Sequence, residues 1–144
     1  MLDLIFERQS QLQRESFGID PHRMDDETRA QFIRDMVLAA TDELHEALNE
    51  AGWKPWASSR HLNRDAFVGE LVDVLHFLVN LWLAAGATAE EVEQRYMDKA
   101  NRNMIRQNQG YDGVLGKCFI CMRALDDPGV TCSAEEGCAW EAIV

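Results

Sequence analysis

The chain has 144 residues, 47% hydrophobic and 27% charged, which fits one main globular domain with room for a small appendage and excludes a disordered chain. Three prolines and nine glycines exclude a collagen-like or proline-rich linker protein. Fourteen basic against 25 acidic residues leave a net charge of −11, which argues against a nucleic-acid partner and against an anionic membrane surface. Met1 is followed by Leu-Asp-Leu-Ile-Phe-Glu-Arg, without the basic start and apolar stretch of a secretion signal. The longest nearly apolar run, 74–87, is short of the roughly 18 residues a bilayer span needs. The expectation is a soluble protein of the cytoplasm.

The pattern predicts four helices and a tail. A short helix over 3–17 ends at Gly18. Asp25 or Asp26 caps a second, with Glu27 in its first turn, that runs to about 51 before Gly52. A loop with Trp53, Lys54 and Trp56 follows. Asn63 caps a third helix that reaches 85 before Gly86. Thr88, with Glu91 three residues on, opens a fourth that reaches about 109. Gly110 and Gly113 then mark a turn.

Asp42, Glu43, Glu46 and Glu50 share an arc of about 100° on the second helix, opposite Ile33, Val37, Ala40, Leu44, Leu48 and Ala51. By itself such an arc is equally a solvated face. The third helix is apolar nearly all round and is therefore expected to be buried. A polar band of Glu70, Asp73, His76 and Asn80 nevertheless runs along it. Two buried carboxylates need a cation, either an Arg or Lys from another helix or a divalent metal. Mg²⁺, a hard ion that prefers oxygen ligands, suits two acidic pairs from neighbouring helices. Arg95, Lys99, Arg102 and Arg106 form a positive stripe on the fourth helix with Asn103 beside it, either a solvated face or a grip for phosphate oxygens. Metal and basic groups together are the equipment for cleaving a phosphoanhydride.

Glu43-Leu44-His45-Glu46 followed by Glu70-Leu71-Val72-Asp73 resembles the ExxE…ExxD signature of the all-α nucleoside triphosphate pyrophosphohydrolases, which include the MazG-like enzymes and the dimeric dUTPases. The stretch from Glu43 to Trp56, Asp73-Val-Leu-His76-Phe77, the pattern from Tyr96 through Lys99, Asn103 and Arg106 to Tyr111, and Gln9-Ser-Gln-Leu12-Gln13 resemble the dimeric dUTPase branch in the same order. The resemblance covers about residues 5–113. It implies that Glu43, Glu46, Glu70 and Asp73 bind Mg²⁺, one glutamate also handling the attacking water. It implies that Lys99, Asn103 and Arg106 contact phosphates, with Tyr111 nearby and Lys54 adding charge, and that Gln9, Gln13, Trp56 and His76 surround the base. Gln13 stands where that branch tends to carry Asn, and the chain is shorter than most of its members.

Cys118, Cys121, Cys132 and Cys138 fall within the last 27 residues, and two close pairs suit a structural Zn²⁺. The sequence thus predicts an all-α bundle of four to five helices over 1–113 and a small Cys₄ zinc tail over 114–144. The expected activity is Mg²⁺-dependent hydrolysis of a deoxynucleoside triphosphate, dUTP first, to the monophosphate and pyrophosphate. The alternatives are a MazG-like enzyme for other (d)NTPs and a non-catalytic helical adaptor with a zinc-knuckle tail. One short helical hairpin encloses little core alone, so a homodimer or homotetramer is expected.

Overall fold

The computed structural model describes residues 1–58, 60–108 and 110. Among them are four helices and no strand: α1 (Leu2–Ser16), α2 (Asp26–Glu50), α3 (Arg64–Ala84) and α4 (Ala89–Asn108). The chain divides into two compact units, Met1–Met97 and Asp98–Val144.

In the first unit α3 is the hub. Both α1 and α2 pack against it. Phe6 of α1 meets Val79 and Leu83 of α3 and Ala89 of α4, with Leu2, Ile5, Leu75, Trp82 and Val92 around them. The Phe6 and Trp82 rings stack 5.9 Å apart at 8°. A second cluster joins Met24 and Phe32 to Ala84, flanked by Ile19, Ile33 and Met36.

The helix ends follow local chemistry. Asp25 accepts from the Thr28 N–H at 2.8 Å, and those hydrogen bonds hold its carboxyl below the usual carboxylate range. Thr88 Oγ1 accepts from the Glu91 N–H at 3.1 Å, as its spacing predicts. Asn63 occupies the N-cap position of α3, but makes no side-chain cap bond. Its amide reaches Glu50 Oε2 at 2.7 Å, and its N–H reaches the Glu50 carbonyl at 2.9 Å, so the pair closes the α2–α3 loop. At Gly52 φ is +57°, and a Cβ would lie 2.9 Å from the His61 carbonyl oxygen, so only glycine fits that closure. α3 ends in a Schellman motif: with φ +74° at Gly86, its N–H bonds to the Leu83 carbonyl at 3.0 Å and Ala87 N–H to the Trp82 carbonyl at 2.9 Å.

Two expectations are corrected. α3 is not buried all round: Val74, Val79, Asn80, Leu83 and Ala84 are buried, whereas Val68, Leu71, Val72 and Leu78 are exposed. Two neighbouring helices cover only part of its circumference. The buried side of α2 keeps only part of the predicted apolar stripe: Ala40 is buried and Ile33 packs on the second cluster. Phe32, Ala40 and Ala47 face inward, and Val37, Leu44 and Leu48 lie outside it, each between 40% and 50% exposed. α3 is long and apolar enough to cross a membrane by length and composition alone, beyond what the 74–87 run indicates. Of its polar band, Asn80 is buried and Glu70 half-buried, while Asp73 and His76 are exposed.

Candidate active site

The inward turn of α2 brings the acids to the α2–α3 seam. Ala40 and Ala47 are buried one turn on either side of Glu43. Their small side chains let the two backbones approach and leave room for the carboxylate. Glu43 and Glu70 are half-buried and Glu46 is exposed; carboxylate oxygens of the three lie within 4.8 Å of one another. Asp73 is exposed and outside that triplet, yet close enough for its charge to act on Glu43.

Electrostatics records the crowding. The Glu43 carboxyl is pushed above its ordinary value, first by desolvation, then by a hydrogen bond with Glu70 and by the charges of Glu46, Asp73 and Glu70. Two carboxylates can share a hydrogen bond only if a proton lies between them. Among the described residues of this unit no Lys or Arg forms an ion pair with any of the four acids. The ion pairs of its Arg residues include Arg23–Asp20, Arg29–Asp26, Arg34–Asp35, Arg64–Asp65 and Arg95–Glu91. Converging oxygens without a basic partner fit a hard divalent cation. Arg95, counted in the positive stripe, is held by Glu91 at 2.8 Å. Glu50, counted in the acidic arc, is held by Asn63.

One turn beyond Asp73 the polar band continues as a buried network. Gln9 is 4% exposed and Asn80 1% exposed. Gln9 Nε2 donates to Asn80 Oδ1 at 2.9 Å, and Gln9 Oε1 lies 2.6 Å from His76 Nδ1. Asn80 Nδ2 donates to the Met36 sulfur at 3.2 Å. The structure thus joins Gln9 and His76, two of the residues expected around a base. Gln13 lies one turn along α1 from Gln9 and is 6% exposed. The parts of Asn80 and Met36 are not legible beforehand. The i, i+4 spacing of His76 and Asn80 is a signal for the first, and nothing in the sequence marks the second.

The loop residues stand apart in character. Trp56 is 75% exposed and meets Trp53 edge-on, ring centres 5.9 Å apart. Lys54 is exposed, and its carbonyl accepts from the Ala57 N–H at 3.1 Å. Arg60 donates to the Pro55 carbonyl, which holds the loop across its width.

Lys99, Asn103 and Arg106 lie on α4 in the second unit. There Arg106 Nη1 donates to Asn103 Oδ1 at 3.5 Å. Tyr111 and the four cysteines, Cys118, Cys121, Cys132 and Cys138, with their expected Zn²⁺, lie outside the described residues.

Comparison with known proteins bears on these residues. Two curated relatives are named dCTP pyrophosphatase. One, from Enterobacteria phage T4, is 43% identical over 42 residues, covering 29% of this chain and 25% of its own length. The other, from Enterobacteria phage LZ5, is 29% identical over 98 residues, covering 54% of this chain and 57% of its own length. The chain therefore spans a quarter of the first relative's length and little more than half of the second's. No solved structure matches. A family model described as dUTPase matches residues 1–87, which include α1, α2, α3 and all four acids of the seam. The chain belongs to this all-helical dUTPase family.

Proposed function

We propose that this chain hydrolyses a deoxynucleoside triphosphate, dUTP first, to the monophosphate and pyrophosphate. The observation that carries the reading is the convergence of Glu43, Glu46 and Glu70 in a member of the dUTPase family. Glu43, Glu46, Glu70 and Asp73 would hold Mg²⁺, which when bound neutralises polyphosphate charge and makes water acidic enough to attack. One of the glutamates orients that water. Lys99, Asn103 and Arg106 keep the phosphate-contacting role that the resemblance implies, with Tyr111 nearby and Lys54 adding charge. Gln9, Gln13, His76 and Trp56 form the base end.

A second reading, dCTP as substrate, is favoured by two observations. Both curated relatives carry that name, and Gln13 stands where the dimeric dUTPases tend to have Asn. The deciding experiment is turnover in Mg²⁺ of dUTP, dCTP and each other canonical dNTP and NTP. The expected result is one preferred pyrimidine deoxynucleotide, with no turnover in EDTA. Equal turnover of every nucleotide would replace it with the broad MazG-like activity, and no turnover would remove the enzyme reading.

The apolar residues left outside suggest the assembly. Val37, Leu44 and Leu48 on α2 recur at spacings of seven and four, which places them on one stripe. Val68, Leu71 and Val72 add a patch on α3. A second copy of the chain covering its own equivalent stripe is the closed solution, so the proposed state is a homodimer, or a homotetramer built from it. For the tail, the proposal remains a structural Zn²⁺ on the four cysteines, supported by their spacing alone.

A further inference from the structure

The buried network beside the acids has a direction, and one atom sets it. A thioether sulfur carries no proton and can only accept. Met36 therefore requires Asn80 to turn its NH₂ toward the sulfur, 3.2 Å away. Asn80 Oδ1 then faces Gln9, which must donate through Nε2 at 2.9 Å. Gln9 Oε1 is left facing His76 Nδ1 at 2.6 Å, so the proton must sit on Nδ1. In the neutral ring Nε2 is then bare, an acceptor. Reversing any one amide would set two acceptors or two donors against each other in a region where Asn80 and Gln9 are almost wholly buried.

His76 itself is exposed, while its Nδ1 is held inward by a buried glutamine. Along α3 it lies three residues from Asp73, roughly 4.5 Å of helix rise. A phosphate chain at the acids leaves its nucleobase within reach. Gln13, one turn along α1 from Gln9, is 6% exposed and lies on the same side of the helix.

We infer that Met36 and Asn80 are positioning residues for base recognition, holding His76 as its Nδ1-protonated tautomer so that Nε2 accepts an N–H from the substrate's base. The donor is the 4-amino group of a cytosine or the N3–H of a uracil. This inference rests on reading the acids as the triphosphate end of a nucleotide site. Its central observable, the tautomer, needs no turnover.

The test is ¹⁵N NMR of the histidine rings in the full-length protein at about pH 8, above the ordinary imidazole range near 6.5. In the native protein His76 shows a protonated Nδ1 and a bare Nε2. Met36→Leu, close in volume, removes the acceptor and yields both tautomers. Asn80→Asp can still only accept from Gln9, so it retains the native tautomer although the Met36 contact is lost. Met36→Leu by itself decides the question if the second variant does not fold. Adding dCMP or dUMP moves the Nε2 resonance upfield with whichever base donates, and the analogue methylated on that nitrogen does not. Met36→Leu raises KM for the preferred nucleotide roughly 3- to 10-fold, the worth of one hydrogen bond, with kcat little changed. A protonated Nε2 in the native protein, a tautomer indifferent to Met36→Leu, or no Nε2 response to either monophosphate would overturn the inference. Failure of the acids alone leaves the tautomer in place and removes turnover, so the two failures are distinguishable.

Discussion

Glu70→Gln is expected to lower Mg²⁺-dependent turnover by about 10²–10³-fold, the usual scale for removing one preorganised electrostatic partner from a site. The substitution is nearly isosteric and leaves the helix intact. It takes one negative charge from a triplet whose oxygens lie within 4.8 Å of one another. Without metal, that charge works against the fold, because it raises the Glu43 pKa together with Glu46 and Asp73. The metal-free variant should therefore melt no lower than the native protein. A role for Glu70 in holding the helices together would give the opposite, lower melting along with lower activity.

The same crowding fixes a pH dependence. A carboxyl whose folded pKa is raised takes up its proton more readily in the fold than in the unfolded chain. Metal-free native protein thus gains stability as pH falls through the raised Glu43 value, and the gain is complete near the ordinary 4.5. Asp25, with its pKa lowered, acts in the other direction. Its cap is lost only as pH falls below the ordinary 3.8, so the two windows do not overlap. In Glu70→Gln the gain above 4.5 should shrink, since the shared hydrogen bond is gone. Both trends are read from melting curves taken across pH in EDTA.

Leu44→Glu is expected to weaken self-association by about 10²–10⁴-fold. Leu44 lies at the middle of the exposed α2 stripe, between Val37 and Leu48. In a two-fold interface one substitution removes two buried leucines, each contributing about 1.5–3 kcal/mol. The sum of roughly 3–6 kcal/mol corresponds to that range of dissociation constants. Sedimentation velocity over a concentration series measures it. A native chain that stays monomeric at high concentration, or a variant that associates as the native chain does, would remove the proposed dimer.

Much of this was legible in the sequence because the signals are local. The caps at Asp25 and Thr88, the glycine stops at Gly18, Gly52 and Gly86, and the two acidic pairs depend on neighbours within a turn. What failed depended on partners distant in sequence. Periodicity selected the α2 stripe through Val37, Leu44 and Leu48 as the inner face, because it ranks residues by apolarity. Packing kept Ala40 of that stripe and added Ala47, because small side chains allow close approach and make room for Glu43. Apolarity likewise predicted a buried α3, although Leu71 and Val72 are exposed among the described residues. Asn63 and Glu50 were read separately as a cap and as part of an acidic face, and the folded loop pairs them. The His76–Gln9–Asn80–Met36 chain links three helices, and no local pattern carries it.

The most direct measurement is the identity of the products. The protein is incubated in Mg²⁺ with its preferred nucleotide, and the mixture is separated by ion exchange. The account requires the nucleoside monophosphate and pyrophosphate in equal amounts, with both lower by about 10²–10³-fold in Glu70→Gln at matched time. A diphosphate with orthophosphate, or the native products in undiminished yield from Glu70→Gln, would contradict it.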